Sequence, residues 1–247
     1  FGTSQPTIIV DGVPISNNTR GQAVLSGIPS PNRAADINPE DIESIEILKG
    51  ASAASIYGVS AGSAGAILIT TKKGQAGRTQ YSLRTTIQAD RPVKTVPVQR
   101  SFGVGTGGIS SACTAINCSI PAGQFFSWGA PIPDSVATYD HGAEMFETGF
   151  TMDNTLSMSG GNDRTTFYLS GGLLHQNGFI VNNVDTYERY TMRFSGSHRL
   201  FENLTFTVTG AAVQTKGGGL DRGNSINGIG ISALRQPPDF NAQQYLS

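Results

Sequence analysis

Gly58-Val59-Ser60-Ala61-Gly62 has the G-x-S-x-G spacing of a nucleophile elbow, where a sharp turn lifts a serine hydroxyl toward a histidine base. That chemistry needs a strand before the serine, a helix after it, and acid and base partners further on. Here the order is inverted. An Ala/Ser-rich helical piece (51–57) precedes Ser60, and the apolar run Ala66 to Ile69 follows it. The three histidines, His141, His175 and His198, fall in or beside alternating segments. The glycines therefore read as turn formers, and no catalytic residue is expected.

Gly103-Val104-Gly105-Thr106-Gly107-Gly108 fits G-x-G-x-x-G, but no apolar strand leads into it and no helix opens after it, so it reads as a loop and not a dinucleotide cradle. Cys113 and Cys118, the only cysteines, form a C-x4-C pair with no second pair to complete a zinc site. They are expected to close a small loop disulfide in an oxidising compartment. The acids of Asp140 to Phe150 suit capping or solvation of a short helical turn with Met145 and Phe146 packed down. No HExxH, paired CxxC or EF-hand spacing occurs, so neither a metal nor a cofactor is expected.

The bulk of the chain narrows the classes further. Its net charge is −1 with 14% charged residues, which gives nucleic acid no basic surface to meet. Thirty-one glycines in 247 residues exceed the usual ~7%, and together with abundant Ser, Thr and aromatics they favour a β-dominated chain with many turns. No apolar run reaches about 18 residues, so no transmembrane helix is expected; barrel strands, being short and only alternately apolar, stay open. The chain starts at Phe1 without a Met or a leader, which reads as a mature or partial segment.

The elements that must position these residues fall into two textures. Thr7 to Ile15 reads as strand, Asp-Gly turn, strand. Asn38-Pro39-Glu40-Asp41 starts one short helical turn. Asp41 to Gly74 then gives a strand with Ile45 and Ile47 on one face, a helical piece, a glycine-rich turn and a strand buried on both faces. Residues 1–77 are expected to form one α+β domain, and 78–247 a second, antiparallel one. There, apolar Tyr81, Leu83 and Ile87 alternate with Ser82, Arg84 and Thr86. Leu156 and Met158 alternate with Thr155, Ser157 and Ser159, and Phe167, Leu169 and Leu173 with Thr166, Tyr168 and Ser170. Tyr190, Met192 and Phe194 oppose Arg189, Thr191, Arg193 and Ser195, and Leu204, Phe206 and Val208 oppose three threonines. Tight turns (160–163 and 199–203) alternate with long polar connections (91–150, 175–186 and beyond 216). Short loops at one end and long ones at the other suit a transmembrane barrel, with Arg84, Arg189 and Arg193 facing a wet lumen. About five strands are visible where closed barrels have at least eight, so further strands are expected beyond Ser247.

The stretch D-I-E-S-I-E-I-L-K-G-A-S-A-A-S-I-Y-G, followed by A-I-L-I-T-T-K-K-G, resembles the plug signature of SusC/RagA-type TonB-dependent outer-membrane transporters. T-I-I-V-D-G-V-P-I is similar to the plug strand before it, and N-T-L-S-M-S-G-G-N-D-R-T-T-F-Y-L-S-G-G-L-L-H-Q-N-G and Y-E-R-Y-T-M-R-F-S-G-S to the family's early barrel strands. Two departures stand out: Gly50 follows Lys49 where the pattern has Asp, and the turn from Val59 to Gly65 lacks S-R-A-A-N-G. The resemblance implies an α+β plug domain followed by the first strands of an antiparallel transmembrane β-barrel of 22 strands. It also implies TonB-dependent import of glycans or peptides across the bacterial outer membrane, with TonB acting upstream of this chain and a SusD-like lipoprotein at the mouth. A siderophore- or cobalamin-type receptor, and a secreted β-rich glycan-binding or adhesin module, are the competing readings.

Overall fold

The computed structural model describes residues 6–15, 33–57, 64–103, 105–106, 109–110, 128–217 and 228–241. Ser60 and the Cys113–Cys118 pair lie outside the described residues.

The N-terminal unit begins as its Asp-Gly dipeptide predicts. Strands β1 (Thr7–Val10) and β2 (Val13–Ile15) are joined by Asp11 and Gly12, both at positive φ (47° and 86°), which matches the twist of a two-residue hairpin. A 3-10 turn at Arg33–Asp36 leads to a second at Pro39–Asp41, where Pro39 supplies the fixed first φ and the Asn38 side chain accepts from Glu40 N. Then come β3 (Ile42–Leu48), α1 (Gly50–Tyr57) and β4 (Ala66–Thr71). The sheet order is β2-β1-β4-β3, with β1 and β4 parallel and the other pairs antiparallel.

Register decides which face α1 covers. Ile9 lies opposite Leu68, and Ala66 opposite Leu48, so all four share a face. Ile9, Ala66 and Ala53 of α1 form the buried cluster, with Leu48, Tyr57 and Leu68 packed around it. The other face carries Ile8, Ile69, Ile45 and Ile47. Ile8 and Ile69 are buried, whereas Ile45 and Ile47 on the edge strand are exposed. β4 is therefore not uniformly buried: Ala66, Ile69 and Thr71 are, while Ile67 and Leu68 are half-buried.

The second sheet is an antiparallel meander interrupted by one long excursion. It contains β5 (Gly77–Asp90), β8 (Gly149–Gly161), β9 (Thr165–Asn177), β10 (Tyr187–Phe201) and β11 (Leu204–Gly217), ordered β11-β10-β9-β8-β5. The excursion between β5 and β8 holds a two-residue ladder, β6 (Gly105–Thr106) with β7 (Ile109–Ser110), where the sequence predicts an open loop. It also holds α2 (His141–Glu144), capped by the Asp140 side chain accepting from Ala143 N. A last helix, α3 (Ile229–Arg235), packs on α2. The turn into β9 is fixed by Asn162 Oδ1, which accepts from the backbone N–H of Arg164 and Thr165. This turn, the β10–β11 turn and the entry to β5 share one end of the sheet; the long connections share the other.

The alternation in sequence becomes rows across the sheet. Tyr81, Met158, Leu169 and Phe194 lie opposite one another in series, as do Leu83, Leu156, Gly171, Met192 and Ala212. Most of these apolar side chains are exposed, with Leu83 at 72% and Met192 at 60%. No described helix is long and apolar enough to cross a membrane.

Candidate functional site

The N-terminal unit sits on the polar face of the five-stranded sheet, and the contact is built from hydrogen bonds and ion pairs. Asp11 has two tasks, as first residue of the β1–β2 turn and as an acceptor. Its Oδ1 accepts from Thr71 N (2.9 Å), and its Oδ2 accepts from Thr71 Oγ1 (2.6 Å) and from Arg193 Nη2 (2.7 Å). Arg193 Nη2 also donates to Thr71 Oγ1. This cluster joins the β1–β2 turn, the end of β4 and strand β10. Burial alone would push the Asp11 carboxyl up, but its bonds from the Thr71 side chain and backbone and the adjacent Arg193 guanidinium prevail and hold it below the usual 3.8.

The second cluster holds the segment that carries the two 3-10 turns. Arg189 Nη1 donates to the carbonyls of Ala35 (2.8 Å) and Ile37 (3.3 Å), while its Nη2 lies 3.6 Å from Asp153 Oδ2 on β8. Asn38 Nδ2 donates to Thr155 Oγ1 (3.1 Å) and Thr191 Oγ1 (3.4 Å). Tyr168 OH donates to Asp41 Oδ1 at 2.9 Å. At the rim, Arg84 Nε pairs with Glu40 Oε1 at 3.2 Å in an exposed contact worth little by itself. Gly172 makes room for Asn38: a Cβ there would stand 2.6 Å from Asn38 Nδ2 and 2.5 Å from Thr191 Oγ1.

The chain's buried polar side chains gather here. Among the described residues, Asn38, Asp41, Thr71, Thr155, Ser170, Arg189, Arg193 and Ser195 are buried along this contact; His141 in the long connections is the exception. Each neutral bond contributes about 0.5–1.5 kcal/mol net and charged ones about 1.5–3, since water competes for both partners. The seat is thus strong in sum and divisible in parts. Arg193 Nε is buried without a hydrogen-bond partner among the described residues, while Nη2 donates to Asp11 and Thr71. None of these groups forms a cluster of metal-binding type among the described residues.

All three arginines predicted from the strand pattern reach the N-terminal unit: Arg193 and Arg189 buried, Arg84 at the edge. The strand pattern does not reveal their partners. Asp11 reads as a turn residue and Asn38 as a cap, because each fills that local role as well. Tyr168 carried a usable signal, being a large aromatic on a face otherwise made of small hydroxyl side chains.

Comparisons with known proteins agree with this arrangement. Residues 1–65 match the family described as TonB-dependent Receptor Plug Domain. Over 247 residues the chain is 29% identical to the TonB-dependent receptor SusC of Bacteroides thetaiotaomicron, covering 98% of this chain and 22% of that protein. It is 27% identical over 243 residues to a TonB-dependent receptor of Formosa agariphila, covering 93% and 21%. The chain therefore spans about a fifth of the length of these relatives. Its fold is similar to the structure of the RagAB peptide transporter, with a TM-score of 0.64 at 23% identity over 88% of this chain and 25% of that one.

Proposed function

We propose that this chain, which carries the plug and first barrel strands of a SusC/RagA-type TonB-dependent transporter, serves energised import of oligosaccharide or peptide nutrients across the bacterial outer membrane. One observation supports this reading above the rest. The five-stranded sheet has an exposed apolar face and a polar face, and the polar face is occupied by a unit held through hydrogen bonds that water can replace. A lipid-facing wall with a removable stopper has this construction.

In this reading residues 1–77 are the plug and 78–247 the opening wall of a 22-stranded barrel. Arg84, Arg189 and Arg193 then point into the lumen. The edges β5 and β11 pair with further strands of the same transporter, because an open sheet edge is not viable in lipid. TonB pulls on a segment upstream of the plug, and a SusD-like lipoprotein attends the mouth at the long-loop end. Cys113 and Cys118 close a small disulfide in those loops.

Uptake of radiolabelled oligosaccharides and peptides by cells carrying the full-length transporter tests the proposal. Accumulation should disappear on deletion of TonB or collapse of the proton gradient. Accumulation that persists without TonB would sink the import reading.

A further inference from the structure

The long connections do not drift apart at their end of the sheet; they lock into one cleft. Tyr139 N donates to Pro238 O at 2.7 Å, and His141 Nε2 lies 3.0 Å from Pro237 O, tying the β5–β8 excursion to the segment after α3. Tyr139 and His141 stack with ring centres 6.2 Å apart. Between these groups and residues 96–99 lies a cleft of about 380 Å³. That is within the range of small-molecule sites.

One wall of the cleft is Trp128, the chain's single tryptophan. It is 58% exposed in a concave setting and packs against Phe102, with ring centres 5.7 Å apart and planes tilted by 41°. The backbone beneath it is already paired: Trp128 N donates to Gly105 O, Gly129 N to Gly103 O, and Gly103 N to Ala130 O. An extended peptide would therefore find these three backbone amides already taken beside the indole. Arg235 and Gln236 supply the polar lining beside Gln99, whose amide is engaged with Ser101 and Phe102, and no carboxylate lines the cleft among the described residues.

These features favour a ligand with a flat apolar face and a rim of hydroxyls over one read through its backbone. On that basis, and resting on the import reading above, we propose that the cleft is a sugar-binding subsite in which Trp128 stacks on the C–H face of a pyranose ring. The electron-rich indole face attracts the weakly positive C–H groups, while the polar rim meets the hydroxyls. The substrate class then narrows to oligosaccharides.

The test uses the full-length transporter in detergent on a printed array of neutral and acidic oligosaccharides, beside a matched peptide array. The best-bound oligosaccharide is then titrated calorimetrically into wild type, Trp128→Ala and Trp128→Phe. Oligosaccharides should bind and peptides should not. Trp128→Ala should weaken binding by about tenfold or more, and Trp128→Phe, which keeps a ring, by about threefold at most. Absence of oligosaccharide binding, binding of peptides alone, or unchanged affinity in Trp128→Ala would overturn the subsite. The two proposals fail separately. Uptake that ignores TonB with Trp128-dependent binding sinks only import, and TonB-dependent uptake with binding indifferent to Trp128→Ala sinks only the subsite.

Discussion

Asp11 shows how one residue serves a turn and a clasp together. Aspartate tolerates the left-handed φ of 47° that the hairpin needs, and the same geometry turns its carboxylate toward Thr71 and Arg193. Its folded carboxyl lies below the unfolded 3.8, so the clasp contributes in full above that value and is lost as pH falls through the folded one. Plug protection in hydrogen exchange should thus be flat from neutral pH down to about 4, then fall. Asp11→Asn should lower protection at neutral pH and remove that acid limb; an unchanged limb would show that another carboxylate sets it. Arg193→Met should cost about 1–3 kcal/mol of plug stability, because it removes the charged donor from a half-buried carboxylate. Combining it with Asp11→Asn should recover part of the loss. A double-mutant cycle showing strict additivity would mean that the pair is not coupled.

At the scale of elements, glycines set the closest approaches. Gly65 enters β4 at φ 82°, and a Cβ there would lie 2.5 Å from Leu48 O on the neighbouring strand. Gly65→Ala should therefore destabilise the plug by about 1–3 kcal/mol, read as faster proteolysis of the plug with the wall left intact. A variant as resistant as wild type would refute the strain. This scale also divides what the sequence tells from what it hides. Alternation in β10 separates Tyr190, Met192 and Phe194 from Arg189 and Arg193 because strand geometry leaves no other arrangement. The Asp-Gly turn and the Pro39 turn are likewise local and legible. Partners are not, since Asn38 meets Thr155 and Tyr168 meets Asp41 across more than a hundred residues of chain. Neither is the clasping of the long connections, where Tyr139 meets Pro238 through backbone atoms that carry no side-chain signal. Ile45 and Ile47 mislead in the opposite sense. Their spacing marks a face correctly, but an edge strand leaves that face exposed among the described residues.

The whole molecule can be measured against a bilayer along β10. On its apolar face the bounding titratable residues are Glu188 toward the long loops and His198 toward the short turns; between them stand Tyr190, Met192, Phe194 and Gly196. The span from Glu188 to His198 rises roughly 33 Å along the strand. At a barrel tilt of about 40° that becomes roughly 25 Å along the membrane normal, the height of an outer-membrane apolar band. Neighbouring strands keep the level: His175 lies beside Glu188 within 3.4 Å, and Lys216 is its partner in register on β11. Polar titratable side chains return at the same height on three strands, as a lipid boundary requires and a soluble sheet does not. Met192 falls near the middle of the span, and Thr209, opposite Ser195, lies within the same span on the polar face. Met192→Arg in the full-length protein should cost about 2–4 kcal/mol of folding into bilayers. Thr209→Arg should stay within about 0.5 kcal/mol, as substitutions on wet surfaces do. Equal costs for the two, measured by urea titration in liposomes, would mean that the apolar face does not meet lipid.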